Sequence, residues 1–490
     1  MIPALHGPRQ RVARRYRRSR AARIMGALAL SLGGAGATLA QPTFGPQGRV
    51  TILENATIIN PTGVATQVAM IVLRGETIEH IGPAVEIQGR ATRLDLAGAF
   101  VTPGLIDVYS GLGMTATRSA SPVNRAFDAF DRYNAELFRE AFRNGVTMMY
   151  LPATGSSGIV GTGAIVRLAP GEGGGWAGEV VKEDAALCID LGSGESALRR
   201  LATLDGIRKQ FKDAKAYRES LETYEDDLKE YEEKIKARAE KEAKEQSKEG
   251  DKPAPGGAPP TQQRPEPPQP AEGAKPEEKK DEITKPRQPG ADPSAEVLLR
   301  ALDREIIARV VADRSSDIIN ALVLAREFNL KIIIEGGSEA YLVADQLDEA
   351  DVPVVLGSLL GSGLHRNDQY RRQIDRCAAV LSEAGVEWAL GSGVADGANS
   401  RFVLLNAQML AANVAGVYAL QLVTTDAAEF LGLGERFGRL APRRAADLVV
   451  WSGHPLDAGS RVQRVYVDGR LVYRDEQSTE PSAGGGGEEQ

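Results

Sequence analysis

Imidazoles, thiols and carboxylates decide what chemistry a chain can do, and this one is short of the first two. Of its four histidines only His80, His365 and His454 lie beyond residue 40, so a metal centre built on several imidazoles is out of reach. Cys188 and Cys377 are the only thiols. An oxidising compartment would permit one bridge, but nothing in the sequence brings them together, and two buried unpaired thiols are expected. Carboxylates are plentiful. Asp313, Glu335 and Asp396 follow or end apolar runs, with His365 in a similar place and Tyr109 and Arg167 beside them, and these six residues are the candidates for one pocket. A carboxylate and a histidine could do metal-free acid–base work. Solvated loop side chains, or ion pairs filling a cavity, are the plainer reading. His454, in the turn Gly453-His454-Pro455-Leu456, reads as structural, and the glycines 155, 158, 161 and 163 lack the Lys-Ser/Thr pair of a phosphate cradle.

The elements that must hold such a pocket alternate between two periodicities. Ile318, Ile319, Leu322, Val323 and Ala325 recur at helical spacing, Lys331-Ile332-Ile333-Ile334 is a strand, Ala340, Val343, Ala344 and Leu347 are helical again, and Val352–Leu356 is the next strand. Repeated strand–helix units argue for a parallel sheet wrapped by helices, with a (β/α)8 TIM-like barrel ahead of an open doubly wound sheet. Short β-rich runs between Val50 and Val101 match runs at 446–451 and 462–470, so both chain ends are expected to form one small β-sandwich domain. The expected fold class is therefore α/β: a barrel over 102–206 and 291–435, and a sandwich from 48–101 and 436–475. Residues just after barrel strands point toward the functional face, which is where the six candidates are expected.

Between the barrel halves, Tyr217, Leu221, Tyr224, Leu228, Tyr231 and Ile235 alternate spacings of four and three, one apolar stripe on a charged helical insertion over 207–243. The stripe either docks on its own barrel or pairs as a coiled coil. Residues 244–290 turn to Pro, Glu, Lys, Gln and Gly, and with the tail 476–490 they are expected to be disordered. Residues 1–40 carry eight arginines and no acid, then an apolar run from Ile24 to Leu32 and small residues ending at Ala40, the layout of a bacterial-type signal peptide. Arg14-Arg15 and Arg17-Arg18 leave a twin-arginine route open. Removing that segment changes the formal charge from −7 to about −15, because the eight arginines leave alone, and nucleic acid is then excluded as a partner. No later stretch reaches the roughly 20 apolar residues of a transmembrane helix, so a periplasmic or secreted protein is expected.

The run Val101-Thr102-Pro103-Gly104-Leu105-Ile106-Asp107 resembles the end of the first barrel strand in the amidohydrolase superfamily. So does the closing stretch Gly438-Arg439-Leu440, Ala446–Trp451, Pro455-Leu456 and Val467-Asp468-Gly469-Arg470. Gly145-Val146-Thr147, Gly161–Arg167, Asp317–Leu330, Glu339-Ala340-Tyr341 and Thr424–Leu433 resemble its imidazolonepropionase-like exported branch. The resemblance covers nearly all of the chain after residue 40 except about 207–293.

That resemblance implies one or two zinc-like ions at the barrel mouth, activating water for hydrolysis of carbon–nitrogen bonds. The implied ligand positions are degenerate here: Tyr109 and Gly111 stand for the paired histidines, Val311 and Asp313 for those before the Arg-x-x-Asp-Ile stretch, Gly336 for the histidine before Gly-x-Glu-Ala-Tyr, and Gly393 for the closing aspartate. Arg167 stands where relatives often carry lysine, and a fixed cation would repel a metal. No metal or other cofactor is expected. The first expectation is a non-catalytic amidohydrolase-like envelope protein binding a small ligand or another envelope protein, with homo-oligomerisation left open. The alternative is an active hydrolase with an unconventional or metal-free site.

Overall fold

The computed structural model of the chain describes residues 49–114, 119–131, 133–169, 178–192, 195–249, 284–357, 376–393 and 399–476. The signal-peptide expectation for 1–40, most of the expected disordered stretch, nearly all of the tail, and both His365 and Asp396 lie outside the described residues.

The chain opens with β1 (Val50–Ile59), β2 (Ala65–Arg74), β3 (Thr77–Gly82), β4 (Ala91–Asp95) and β5 (Phe100–Pro103). Strands β14 (Leu448–Trp451), β15 (Val462–Val467) and β16 (Arg470–Arg474) join them near the other end. The join is direct: β14 runs antiparallel to β5, with Val450 opposite Val101. Both ends thus build one domain, as the repeated β-rich runs imply. It differs from the expected sandwich in being one hydrogen-bonded sheet, ordered β16-β15-β14-β5-β1-β2-β3 with β4 also on β1. The sheet curls on itself. A bridge between Thr77 and Ala445 links its distant parts, and Leu53, Ile71, Leu73, Val101, Leu448, Val450 and Tyr466 share one core. Alternating apolar residues on a long twisted sheet can enclose a core this way without a second sheet.

The second sheet has eight strands in sequence order: β6 (Leu105–Asp107), β7 (Val146–Leu151), β8 (Gly158–Arg167), β9 (Val180–Asp190), β10 (Ile307–Ala312), β11 (Ile332–Gly336), β12 (Val354–Leu356) and β13 (Trp388–Leu390). Ile106, Met148, Ile165, Ala186, Ile333, Val355 and Ala389 from seven of these strands fill one interior cluster, and Ile307 of β10 packs against it. The ring is nearly closed. Its seam is a Ser110–Gly393 bridge, in which the Gly393 N–H donates to the Tyr109 carbonyl at 2.8 Å and the Gly111 N–H to the Gly393 carbonyl at 3.2 Å. Gly391 is what lets the seam close, since a Cβ there would lie 2.3 Å from the Tyr109 Cβ.

One strand departs from the (β/α)8 pattern. β8 pairs antiparallel with both β7 and β9, in register Met148↔Arg167 and Gly158↔Asp190, so seven strands point toward the mouth and one toward the floor. No helix separates β7, β8 and β9 among the described residues. A hairpin-type connection is short enough to reverse the chain, whereas a parallel return needs a crossover of a dozen residues or more. Helices do follow the other strands: α1 (Ala135–Arg143), α2 (Ala197–Glu249), α3 (Pro293–Leu302), α4 (Ser315–Phe328), α5 (Ala344–Glu349), α6 (Cys377–Ala384), α7 (Val403–Ala411), α8 (Ala419–Leu422) and α9 (Thr425–Phe430).

Residues 212–296 form a compact unit of their own. The start of α2 belongs to the barrel unit, where Phe211 packs on Phe328 at 5.1 Å between ring centroids and Arg208 meets Glu327 at 2.8 Å. Helix α2 begins ahead of the expected 207 and continues to Glu249, and 284–292 is extended chain in which the Asp292 N–H donates to the Tyr217 hydroxyl at 3.4 Å. Tyr217, Leu221, Tyr224, Leu228 and Tyr231 are half-buried and Ile235 is exposed. Among the described residues no helix is long and apolar enough to cross a membrane.

Candidate functional site

The mouth of the barrel is where β6, β7 and β9 to β13 end. Asp107 closes β6 and is completely buried. One carboxylate oxygen accepts from the Ser392 N–H at 3.0 Å and the Tyr109 N–H at 3.3 Å; the other accepts from the Ser392 hydroxyl at 2.6 Å and the Ser400 hydroxyl at 2.8 Å. Ser110 completes the set, its hydroxyl 2.7 Å from that of Ser400. Burial raises the Asp107 pKa and the serine and backbone donors oppose the rise. Four donors, two of them short hydroxyl contacts, engage this carboxylate, so it has no lone pair to spare for a metal.

Deeper in the ring lies a buried ion pair. Arg309 projects from β10, with its Nε 2.5 Å from the Glu335 carboxylate on β11 and its Nη2 donating to the Val108 carbonyl at 2.8 Å. The guanidinium lies over the Tyr150 ring, 3.7 Å from the centroid, and the Tyr150 hydroxyl is 3.3 Å from the Cys188 thiol. Flat stacking plus a charged partner is the arrangement a guanidinium tolerates best away from water. Complete burial pushes Glu335 up to about 7, with Arg309 holding it back from rising further. Burial also carries Cys188 to about 12 and Cys377 to about 11; both thiols are buried and unpaired, as expected.

Asp313 follows β10 and accepts from the Ser338 hydroxyl at 2.6 Å and more weakly from the Ser338 N–H at 3.4 Å. Burial lifts it to about 6, and the nearby Asp190 and Asp317 charges add to the rise. Gly336 sits against this carboxylate with φ +92°, and a Cβ there would come within 2.5 Å of the Asp313 oxygen. A histidine at 336 would need both a strained backbone and a displaced Asp313.

The candidates therefore divide. Tyr109, Gly111 and Gly393 meet at the seam; Asp313 and Gly336 touch; Asp190 acts electrostatically on both Asp313 and Glu335. Val311 lies beside Glu335 in the strand register. Arg167 does not line the mouth. Because β8 is antiparallel, its last residue falls at the floor, where the buried Arg167 pairs with Asp468, with Glu179 at 3.5 Å and with Asp447 at 3.8 Å. The cation expected in the pocket is supplied instead by Arg309, which sequence reasoning passed over. A signal for it exists, since one arginine inside Ile306–Ala312 and one glutamate ending Lys331–Glu335 are charges inside buried strands, which must pair. The serines carry no such signal.

The residues at the six implied ligand positions do not fit a divalent ion. Three are glycines and one is valine, the Tyr109 side chain is a poor anion at neutral pH, and the Asp313 carboxylate is engaged by Ser338 and raised toward neutrality. Among the described residues no three His, Cys, Asp or Glu side chains group closely enough to hold a metal.

An eight-stranded ring with its first and last motifs on the strands that the resemblance implies defines an amidohydrolase-type scaffold. The family model described as "Amidohydrolase family" matches residues 304–472. An amidohydrolase from Thermotoga maritima MSB8 superposes with a TM-score of 0.63 at 25% identity, over 87% of this chain and 100% of that one. A prolidase solved with N-methylphosphonate-L-proline gives a TM-score of 0.49 at 17% identity, over 87% and 100%. A stretch of 57 residues is 40% identical to the amidohydrolase tasK of Hapsidospora irregularis, covering 12% of this chain and only 6% of that protein. Residues 304–472 thus match the amidohydrolase family, and the fold over most of the chain is similar to that of a solved amidohydrolase.

Proposed function

We propose that this chain is a non-hydrolytic amidohydrolase-fold protein, exported to the cell envelope, whose barrel mouth or helical insertion binds a small ligand or an envelope protein. One observation carries the reading: the metal-ligand positions hold Tyr109, Gly111, Val311, Asp313, Gly336 and Gly393, and the space around them is taken by the Arg309–Glu335 pair and the serines on Asp107. A fixed guanidinium lowers the affinity of the neighbourhood for any cation, and a carboxylate saturated by hydroxyls gains little by exchanging them for a metal.

A second reading is metal-free hydrolysis of a non-peptide carbon–nitrogen bond. It draws on Glu335, whose pKa of about 7 suits a general acid or base. Against it stands geometry, since Glu335 is completely buried and committed to Arg309.

The test is elemental analysis of the purified full chain with hydrolysis assays on N-acyl amino acids, dipeptides and cyclic imides, with and without added zinc or manganese. Substoichiometric metal and no turnover are expected. Stoichiometric protein-bound metal with metal-dependent turnover sinks the non-hydrolytic reading; turnover unaffected by chelator and abolished in E335Q establishes the second.

A further inference from the structure

A groove of about 710 Å³ opens on the flank of the barrel unit, between the C-terminal end of α1, the start of α7 and the edge of the curled sheet. It does not share a residue with the mouth. Leu404, Leu456 and Trp451 supply apolar lining, and Leu405 beside them is 45% exposed. Three arginines and two aspartates surround this apolar patch. Arg143 is engaged, with Glu140 at 3.2 Å and a hydrogen bond to the Tyr473 phenol. Two charges of opposite sign are not engaged. Arg401 only stacks on the Phe402 ring at 4.6 Å, and among the described residues neither Arg401 nor Asp457 has an ion-pair partner, although both face the same groove.

We propose that this groove binds a zwitterion with an apolar body, a free apolar amino acid or a dipeptide. Its carboxylate would pair with Arg401, its ammonium with Asp457, and its side chain would lie on Leu404, Leu456 and Trp451. A planar guanidinium matches a carboxylate in a bidentate fork, an aspartate accepts from an ammonium, and the volume is within the range of small-molecule sites. Both charges already stand at the surface, so pairing them with a ligand incurs little desolvation compared with a buried pair. This site is separate from the mouth, and the proposal holds or fails whether or not the barrel hydrolyses anything.

The experiment is isothermal titration of the full chain with L-leucine and L-leucyl-L-leucine, against N-acetyl-L-leucine, which lacks the ammonium, and L-leucinamide, which lacks the carboxylate. Saturable binding of a zwitterion is expected, weakened about tenfold or more in each blocked analogue. R401A should weaken L-leucine and N-acetyl-L-leucine alike but leave L-leucinamide unchanged, whereas D457A should weaken L-leucine and L-leucinamide alike but leave N-acetyl-L-leucine unchanged. Neither residue is in the core, so both variants should keep the parent melting temperature. No saturable binding of either zwitterion up to about 10 mM overturns the proposal. So does binding that survives both substitutions.

Discussion

The floor of the barrel and its interior each bury an arginine against acid, and they do so to different effect. At the floor, Arg167 faces Asp447, Asp468 and Glu179, and two of these acids come from the closing segment of the curled sheet. Toward the mouth, Arg309 faces Glu335 alone and leans on an aromatic ring and a backbone carbonyl. The floor cluster has more acid than base and ties the ring to the chain end that completes the other sheet. The inner pair is balanced one to one and fills space within the ring. A buried ion pair is weak evidence for stability in itself, because desolvation consumes most of the attraction; losing one member is what is expensive. The comparison therefore predicts that the floor punishes a single substitution more than the interior does.

The largest effect is expected from R167M, which strands Asp447 among like charges at the join of the two sheets. A loss of about 5 kcal/mol, read as a shift in the urea midpoint, is expected. A loss below about 1 kcal/mol would show that the floor cluster is solvated and the contrast empty. R309M should follow at about 3–4 kcal/mol, and the double variant R309M/E335M should recover most of it, since two apolar side chains replace a matched pair at little net change. If the double variant is worse than either single one, the pair is a stabilising network and not a filler.

A pH series sharpens the same contrast. Glu335 rises from an ordinary 4.5 to about 7, and Asp447 from 3.8 to about 6, so the folded chain holds these protons to higher pH than the unfolded one. The contribution is fully present below about pH 4 and is lost as pH climbs through 6 to 7, amounting to about 3 kcal/mol for each group. The urea midpoint should thus fall between about pH 4 and 7. E335Q should flatten the upper part of that fall while leaving the lower part, which belongs to Asp447 and Asp313. The smallest effect is expected at the mouth, where S400A removes one of four donors to Asp107 and costs about 1–2 kcal/mol. Thermal melts of S392A and S400A singly and together would show whether the donors act independently.

Much of the scaffold was legible in the residues. Apolar runs such as 332–334 and 354–356, spaced by helical periodicity, located β11 and β12 and the helices that precede them, and the matching end segments announced a shared β-domain. The antiparallel β8 was not legible. A run as apolar as Gly158–Arg167 reads the same in either direction, and direction depends on whether the connection is a hairpin or a crossover. That single reversal moved Arg167 from the mouth to the floor.

What the sequence determined by itself is an absence and a pattern: too few imidazoles for a histidine-built metal site, and strand–helix units closed at both ends by amidohydrolase-type motifs. Those follow from residue identity and local periodicity, which no fold can alter. Which charges meet was decided only in three dimensions. Arg309 and Glu335 are 26 positions apart in the chain and Asp107 and Ser400 are 293 apart, and they become partners because adjacent strands and a closing ring force buried polar groups to find one another.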